Sequence, residues 1–368
     1  MEQLTGKRAL VLSGGGGRGA YHVGALRFLE EHDWLPDVIV GTSIGAVNGA
    51  AIASGHDSRS LRALWGRLTT DQVQRRDWHL LDLFSLMKRD HLLDTAPLRE
   101  TLVREGWIDL ERVNAAPPEK HLRITAVESS TGRLRVFGNS PDVIPGGRSE
   151  HVRISLDHIL ASCSIPVIYP PTRIENATLW DGGTVANTPL GPAIDAGAED
   201  IVVVLMTPWD EAHSRPRYLD VGNVEELITA AQVAFEWALL ASFQTDLRLF
   251  KRTNLLAWLQ EENARLQAQN AQLRAELEQV QASLPAAPPV EQKQPYEQVA
   301  PQPPAPLEEV ERQFRQVPSP VIVSPQAAIP AVDIIRYDLE NHERLYRMGY
   351  EDARLAWQGA GRPVEGAA

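Results

Sequence analysis

A chain of 368 residues can hold one full-sized core with room for an appendage, since domains run to roughly 100–250 residues. Its net charge of −12 argues against a general grip on nucleic acid, which needs a basic face, and against purely electrostatic docking on anionic membranes. The one cysteine, Cys163, cannot close an internal disulfide and no Cys/His spacing matches a zinc site, so the expectation is a reducing compartment and no metal. Residues 1–12 lack the apolar core and cleavage site of a secretory signal, and no window approaches about 18 uninterrupted apolar residues. A cytoplasmic protein, peripheral at membranes, is expected.

Arg8-Ala9-Leu10-Val11-Leu12 reads as a buried strand running into Ser13-Gly14-Gly15-Gly16-Gly17-Arg18-Gly19, and a helix begins near Ala20 with Val23, Leu26, Phe28 and Leu29 as its apolar side. Strand, glycine loop and helix make an anion cradle with three readings. A nucleotide-hydrolase phosphate loop needs Gly-Lys-Ser/Thr after the glycines, and Arg18-Gly19-Ala20 does not supply it. A dinucleotide fingerprint is satisfied by Gly14, Gly16 and Gly19, but its second strand should end in an acidic residue, and here it ends in Gly41. In the third reading the loop's backbone N–H groups face the charge of a tetrahedral intermediate, where one donor is worth about 10²–10³ in rate.

Val38-Ile39-Val40 then leads into Gly41-Thr42-Ser43-Ile44-Gly45, followed by a small-residue helix from Ile44 to Ile52. Gly-x-Ser-x-Gly between strand and helix reads as a nucleophile elbow: the tight turn exposes the serine, and flanking glycines avoid Cβ collisions with the neighbouring strand and helix. The competing reading is an ordinary strand-turn-helix with a capping serine. Further on, the apolar lead Ala177-Thr178-Leu179-Trp180 ends in Asp181-Gly182-Gly183.

In this order, Gly14 to Gly19, the Ser43 elbow and Asp181-Gly182-Gly183 resemble the three motifs of the patatin-like phospholipases, and the stretch Ala161-Ser162-Cys163-Ser164-Ile165-Pro166 resembles the segment preceding that family's aspartate. The resemblance covers residues 7–253 and 321–353. It implies an α/β fold, a mostly parallel sheet flanked by helices, acting on lipid esters through an acyl-enzyme without a cofactor or a nucleic acid partner. It further implies that Ser43 and Asp181 form a dyad, that Gly14, Gly15, Gly16, Gly17, Arg18 and Gly19 form the oxyanion loop, and that Gly41, Gly45, Gly182 and Gly183 permit the close approaches; Arg18 reads as bracing that loop, with contact to an anionic headgroup or a solvent-facing place in the first helical turn as the alternatives. A serine hydroxyl needs an adjacent base, and an ordinary carboxylate, with a pKa near 3.9, is a poor one, so Asp181 would have to be desolvated. The rival is a Ser-acid-His triad drawing on His213 or His342. Two readings of another class are a dinucleotide-binding protein and a non-catalytic coiled-coil scaffold.

Between Asp57 and Leu110 the pattern is helical and apolar in patches, and Trp78 to Leu93 is richer in large apolar residues than one helical stripe requires, which reads as a lid or acyl-chain wall or as plain core. His121–Val127 and Arg133–Phe137 read as a hairpin around Ser129-Ser130-Thr131-Gly132. Asn187-Thr188-Pro189-Leu190 is expected to cap a helix through Ala196 that stops at Gly197, and Ile201–Leu205 to be a central strand.

From Gly222 to Pro285 nothing interrupts a helix. Its first half has a period suited to packing on the body, while residues 255–284 change to heptads, with Leu256, Asn263, Asn270, Leu277 and Leu284 at a and Leu259, Leu266, Leu273 and Val280 at d. Leucine at d with asparagine at a is the pattern of a parallel homodimer; a solvated helix, or an antiparallel contact with Leu307, Val310 and Phe314, is the alternative. Residues 285–320 read as a linker with a short helix, its stretch Pro285 to Pro306 holding eight prolines. Val321–Val323 and a helix around Leu339, Leu345 and Met348 return to the catalytic domain, expected as 7–253 plus 321–357.

Overall fold

The architecture comes from a computed structural model that describes residues 6–76, 90–144, 146–210, 215–216, 227–283 and 316–363. Strand β1 (Lys7–Leu12) buries Ala9 to Leu12 because it is walled on both edges by parallel neighbours, β2 (Val38–Thr42) and β8 (Ala198–Val204). That explains its continuous apolar run, for a strand covered on both faces has no solvent side to alternate toward. Around this centre the sheet runs β9 (Val321–Val323), β8, β1, β2, β3 (His121–Glu128), β4 (Leu134–Gly138), β5 (Ser149–His151), with β9 to β3 all parallel. The chain leaves β1 toward β2 on one side and later returns beside it as β8 on the other, so the glycine loop after β1 opens at the point where strand order reverses, the usual location of ligand sites in open α/β sheets.

Strands β3 and β4 form the expected antiparallel hairpin, with Gly132 at positive φ in its turn. Two further strands, β6 (Thr172–Ile174) and β7 (Ala177–Asp181), pair with each other, and β7 pairs antiparallel with β3. Helices α1 (Ala20–Glu31), α2 (Ile44–Ala53), α3 (Ser58–Arg67), α4 (Ala96–Arg104) and α5 (Leu156–Ser162) lie between the strands in sequence and contribute buried apolar residues to one core. Helix α2 is buried at every position, its glycines and alanines letting it pack closely beside the larger Ile44, Val47, Asn48 and Ile52. The expected cap at Asn187–Leu190 is corrected: the helix spans only Gly191–Asp195 with Leu190 as N-cap, because Asn187 is held elsewhere by the glycine loop. Gly197, at φ 86, ends it as expected.

The uninterrupted stretch is one helix, α6, Leu227–Ser283. The chain divides into two compact units, residues 1–248 with 317–368 and residues 249–316. In the smaller unit the described part of α6 leaves Leu256, Leu259, Leu266, Leu273, Leu277 and Val280 about half exposed. The lid segment lies outside the described residues from 77 to 89, as do Leu307, Val310, Phe314 and the proline run at 285–306. Helix α7 (Leu339–Gly359) closes the larger unit against α1, with the Tyr21 hydroxyl donating to Asp352 at 2.9 Å.

Candidate active site

Two strands approach each other along one edge of β3. Strand β2 runs parallel to β3 and its last residue, Thr42, is opposite Thr125; β7 runs antiparallel and its last residue, Asp181, is opposite Ala126. Their ends therefore meet at adjacent β3 positions, about 3.3 Å apart along the strand. Beyond Thr42 the chain leaves the sheet at Ser43, whose φ of 56° and ψ of −125° are strained for a residue with a Cβ. This is the sharp strand-to-helix turn expected of an elbow, and it presents the hydroxyl beside Asp181.

Strain persists only where the surroundings impose it, and here they do. The Ser43 N–H donates to the Ser162 hydroxyl at 2.8 Å, while Ala46 and Val47 N–H groups donate to the Ser43 carbonyl. A Cβ on Gly45 would stand 2.2 Å from the Leu12 carbonyl oxygen, and one on Gly41 2.3 Å from that of Gly45, so elbow and β1 touch backbone to backbone. Gly182 rests on Thr125 in the same manner, and Thr125 shares a 2.7 Å hydrogen bond with Thr42.

Asp181 is 5 % exposed, as is Ser43. Burial raises its carboxyl to about 7, and hydrogen bonds from the Ser43 side chain and the Gly183 N–H, the latter 2.7 Å from Oδ1, offset part of that rise. Desolvation thus supplies the basicity that an ordinary aspartate lacks.

The glycine loop lines the same cleft. Gly14 donates its N–H to the Asn187 side-chain carbonyl at 3.1 Å and lies against the Ser43 Cβ, and Gly15 lies against Met206. Gly16 takes φ 56° beneath the Ile334 carbonyl and begins a short 3₁₀ turn, Gly16–Gly19, in which Gly17 lies under Arg336 and Gly19 against Ile44 and Trp65. Among the described residues the Gly15 and Gly16 N–H groups have no protein acceptor. Arg18 is buried, with Nε donating to the Gly15 carbonyl at 3.4 Å and Nη1 to the Met206 carbonyl at 3.5 Å, contacts that tie the loop to the end of β8.

Two spaces meet at Ser43. One, of about 150 Å³, is lined by Gly14 to Gly16, Ser43, Asp181, Gly183 and Asn187 and opens past Ile165, Thr184, Leu239 and Ile334. The other, a narrow apolar space of about 20 Å³, lies between Val47, Leu98, Leu102, Trp107, Tyr169 and Tyr337. Cys163 lines this apolar space, and its thiol is pushed up by burial and by the Asp181 charge, which keeps it inert as a nucleophile.

His342 is not beside Ser43: it sits on α7 with Nδ1 donating to the Trp65 carbonyl at 2.8 Å, and burial lowers its pKa. His213 lies outside the described residues. Strand β2 ends in Gly41-Thr42 without the acidic side chain a dinucleotide's ribose requires. Among the described residues no three His, Cys, Asp or Glu side chains cluster to hold a metal. The residues missed in the sequence are Ser162 and Asn187. Each looks like a helix-terminal polar residue, and only the folded register brings them to Ser43 and Gly14.

A family model described as "Patatin-like phospholipase" matches residues 10–194. The uncharacterized protein YqhO of Bacillus subtilis is 27% identical over 237 residues, covering 60% of this chain and 77% of that one. A cGAMP-activated phospholipase of Escherichia coli is 27% identical over 235 residues, 60% of this chain and 62% of its own length. Lysophospholipase NTE1 of Meyerozyma guilliermondii is 27% identical over 197 residues, with 53% of this chain spanning 12% of that protein. The crystal structure of VipD from Legionella pneumophila aligns with a TM-score of 0.42 at 12% identity, covering 96% of this chain and 67% of that chain.

Proposed function

This chain belongs to the patatin-like phospholipase family, and from that premise we propose that it hydrolyses lipid carboxylic esters with Ser43 as nucleophile and Asp181 as its base. The observation that carries the reading is a buried carboxyl raised to about 7 and hydrogen-bonded to a serine at a strained elbow. Ser43 Oγ attacks the acyl carbonyl while its proton passes to Asp181. The oxygen of the tetrahedral intermediate faces the Gly15 and Gly16 N–H groups and the N-terminus of α2, where fixed dipoles stabilise it without reorganising. Asp181 returns the proton to the departing alcohol, and water, activated by the same carboxylate, then releases the acyl group from Ser43. The larger space, bordered by Ile165, Leu239 and Ile334, supplies a place for the acyl chain. The test is a panel of lipid esters combined with a fluorophosphonate probe: turnover and a covalent adduct on Ser43 are expected, and a protein that neither turns over nor labels would refute the assignment.

Four exposed apolar side chains, Val167, Val185, Val332 and Ile335, stand next in sequence, or two positions away, to Pro166, Thr184 and Ile334, which line the open space. Val167 is 67 % exposed at φ 70°, held there by Leu92 donating to its carbonyl at 2.9 Å. Apolar groups fixed around a mouth favour contact with a lipid surface. Val167→Glu with Val332→Glu is expected to slow hydrolysis of lipid in zwitterionic vesicles about tenfold or more, since apolar surface that stays in water forgoes about 25 cal/mol per Å². Turnover of a water-soluble ester should be unchanged; an equal fall on both substrates would remove the docking role.

The exposed Leu and Val seam of α6 fits a parallel pairing of two copies, with Asn263 and Asn270 meeting their equivalents across the axis. Sedimentation of the full chain should show a dimer at micromolar concentration, and Leu266→Lys with Leu273→Lys a monomer of unchanged soluble-ester activity. Identical sedimentation of parent and variant would exclude the pairing.

A further inference from the structure

Asn187 is nine-tenths buried and lies in the cleft between the glycine loop and the Asp181 turn. The place a Cβ would take on Gly14 is 2.5 Å from its Oδ1 and 3.1 Å from the Ser43 Cβ; the place one would take on Gly183 is 2.9 Å from the same Oδ1 and 3.1 Å from Asp181 Oδ1. One carboxamide thus adjoins the glycine packed on Ser43 and the glycine packed on Asp181. Its orientation follows from its partner: the Gly14 N–H can only donate, so the atom 3.1 Å away is the carbonyl oxygen and the amide nitrogen points elsewhere. Among the described residues nothing accepts from that nitrogen, and it is not among the sealed polar atoms, so it keeps an opening to the cleft. The Asn187 main chain is pinned as well, its N–H donating to the Ser242 hydroxyl at 3.2 Å and its carbonyl accepting from Gly14 at 3.4 Å.

A donor held this firmly with no protein acceptor is placed for substrate. Building on the hydrolase reading above, we propose that Asn187 is a catalytic residue that donates Nδ2–H to the ester oxygen departing as the alcohol. In this assignment the Gly15 and Gly16 N–H groups take the carbonyl oxygen, and Asn187, which adjoins Gly183 as well as Gly14, takes the leaving oxygen to which Asp181 hands its proton. As the tetrahedral intermediate collapses, the C–O bond to the alcohol breaks and its electron pair moves onto that oxygen. The proton taken from Ser43 passes from Asp181 to the same atom, and the amide hydrogen bond strengthens as charge gathers there.

Asn187→Asp separates this role from loop bracing. The aspartate still accepts from the Gly14 N–H but offers no donor, whereas Asn187→Ala removes both. With each protein assayed on the alkaline plateau of its own pH profile, Asn187→Asp is expected to fall about 10²–10³-fold on an alkyl ester, whose alcohol is a poor leaving group. On the matching p-nitrophenyl ester, which departs without help, the expected fall is under tenfold. Equal effects on the two esters, or full activity of Asn187→Asp on both while Asn187→Ala is impaired, would overturn the proposal. Fluorophosphonate labelling of Ser43 is expected to persist in the variant, and its melting curve reports folding. Failure of the hydrolase reading itself would appear differently, as a parent protein inert toward both esters.

Discussion

Asp181→Asn is expected to lower lipid-ester hydrolysis by about 10⁴–10⁶-fold, the range in which members of a nucleophile-base unit fail singly. Ser43→Ala should fall in the same range, and the double variant should be scarcely worse, because hydroxyl and carboxylate act on one proton. The aspartate variant carries a second, opposite signature. The folded carboxyl titrates at about 7, against an ordinary value of 3.8. Below both values the group is neutral in folded and unfolded chains alike. As pH rises the unfolded chain ionises first while the folded protein keeps its proton, so stability falls across the window from about 4 to about 7 and stays lowered above it. About three units correspond to roughly 4 kcal/mol. The carboxamide of Asp181→Asn, neutral throughout, escapes this cost. Urea unfolding should therefore show the inactive variant more stable than the parent at pH 8 and the two converging near pH 3.5. In the parent, kcat/KM should climb through a single ionisation near 7, since only the ionised carboxyl can take the Ser43 proton. Parallel stability curves for parent and variant would mean that Asp181 is not desolvated as described.

Gly45→Ala is expected to unfold the elbow, at a cost of about 3 kcal/mol or more and with loss of activity. In an ordinary helix the same change is worth up to about 1 kcal/mol of stabilisation. Gly45 differs because its Cβ would meet the Leu12 carbonyl at 2.2 Å and the Ser13 carbonyl at 2.8 Å, main-chain atoms of the strand and loop that cannot rotate aside. Gly66 in α3 is the control: a Cβ there finds only the Leu339 methyl at 3.7 Å, so Gly66→Ala should raise the melting temperature slightly. If the two variants melted alike, the backbone contact between elbow and β1 would be of no consequence.

The elements that local pattern dictates were legible without coordinates. A buried run followed by glycines, a serine between glycines ahead of small residues, a polar four-residue turn between two alternating runs, and a long stretch without glycine or proline each have one dominant solution. They correspond to β1 with its loop, the Ser43 elbow, the β3–β4 hairpin and α6. What sequence could not convey depends on pairing between distant segments. Nothing near Ala177–Asp181 signals that it runs antiparallel to β3 on the very edge that β2 occupies. Asn187 illustrates the same limit, for beside Thr188-Pro189 it has every mark of a cap, and only Gly14, far away in the chain, claims its oxygen. His342 likewise belongs to the Trp65 carbonyl, an attachment no spacing could reveal.

Strand β3 works as a ruler for the proposed dyad. Ser43 and Asp181 arrive on separate strands that never pair with each other, and their spacing is read off consecutive β3 residues, Thr125 and Ala126. Side-chain exchanges along β3 would leave that calibration intact, whereas inserting one residue between the two marks would offset the proposed dyad by about 3.3 Å and turn one member to the opposite face of the sheet. Length variation is thus tolerable in the hairpin beyond β3 and in the crossings that precede it, but not within the strand itself.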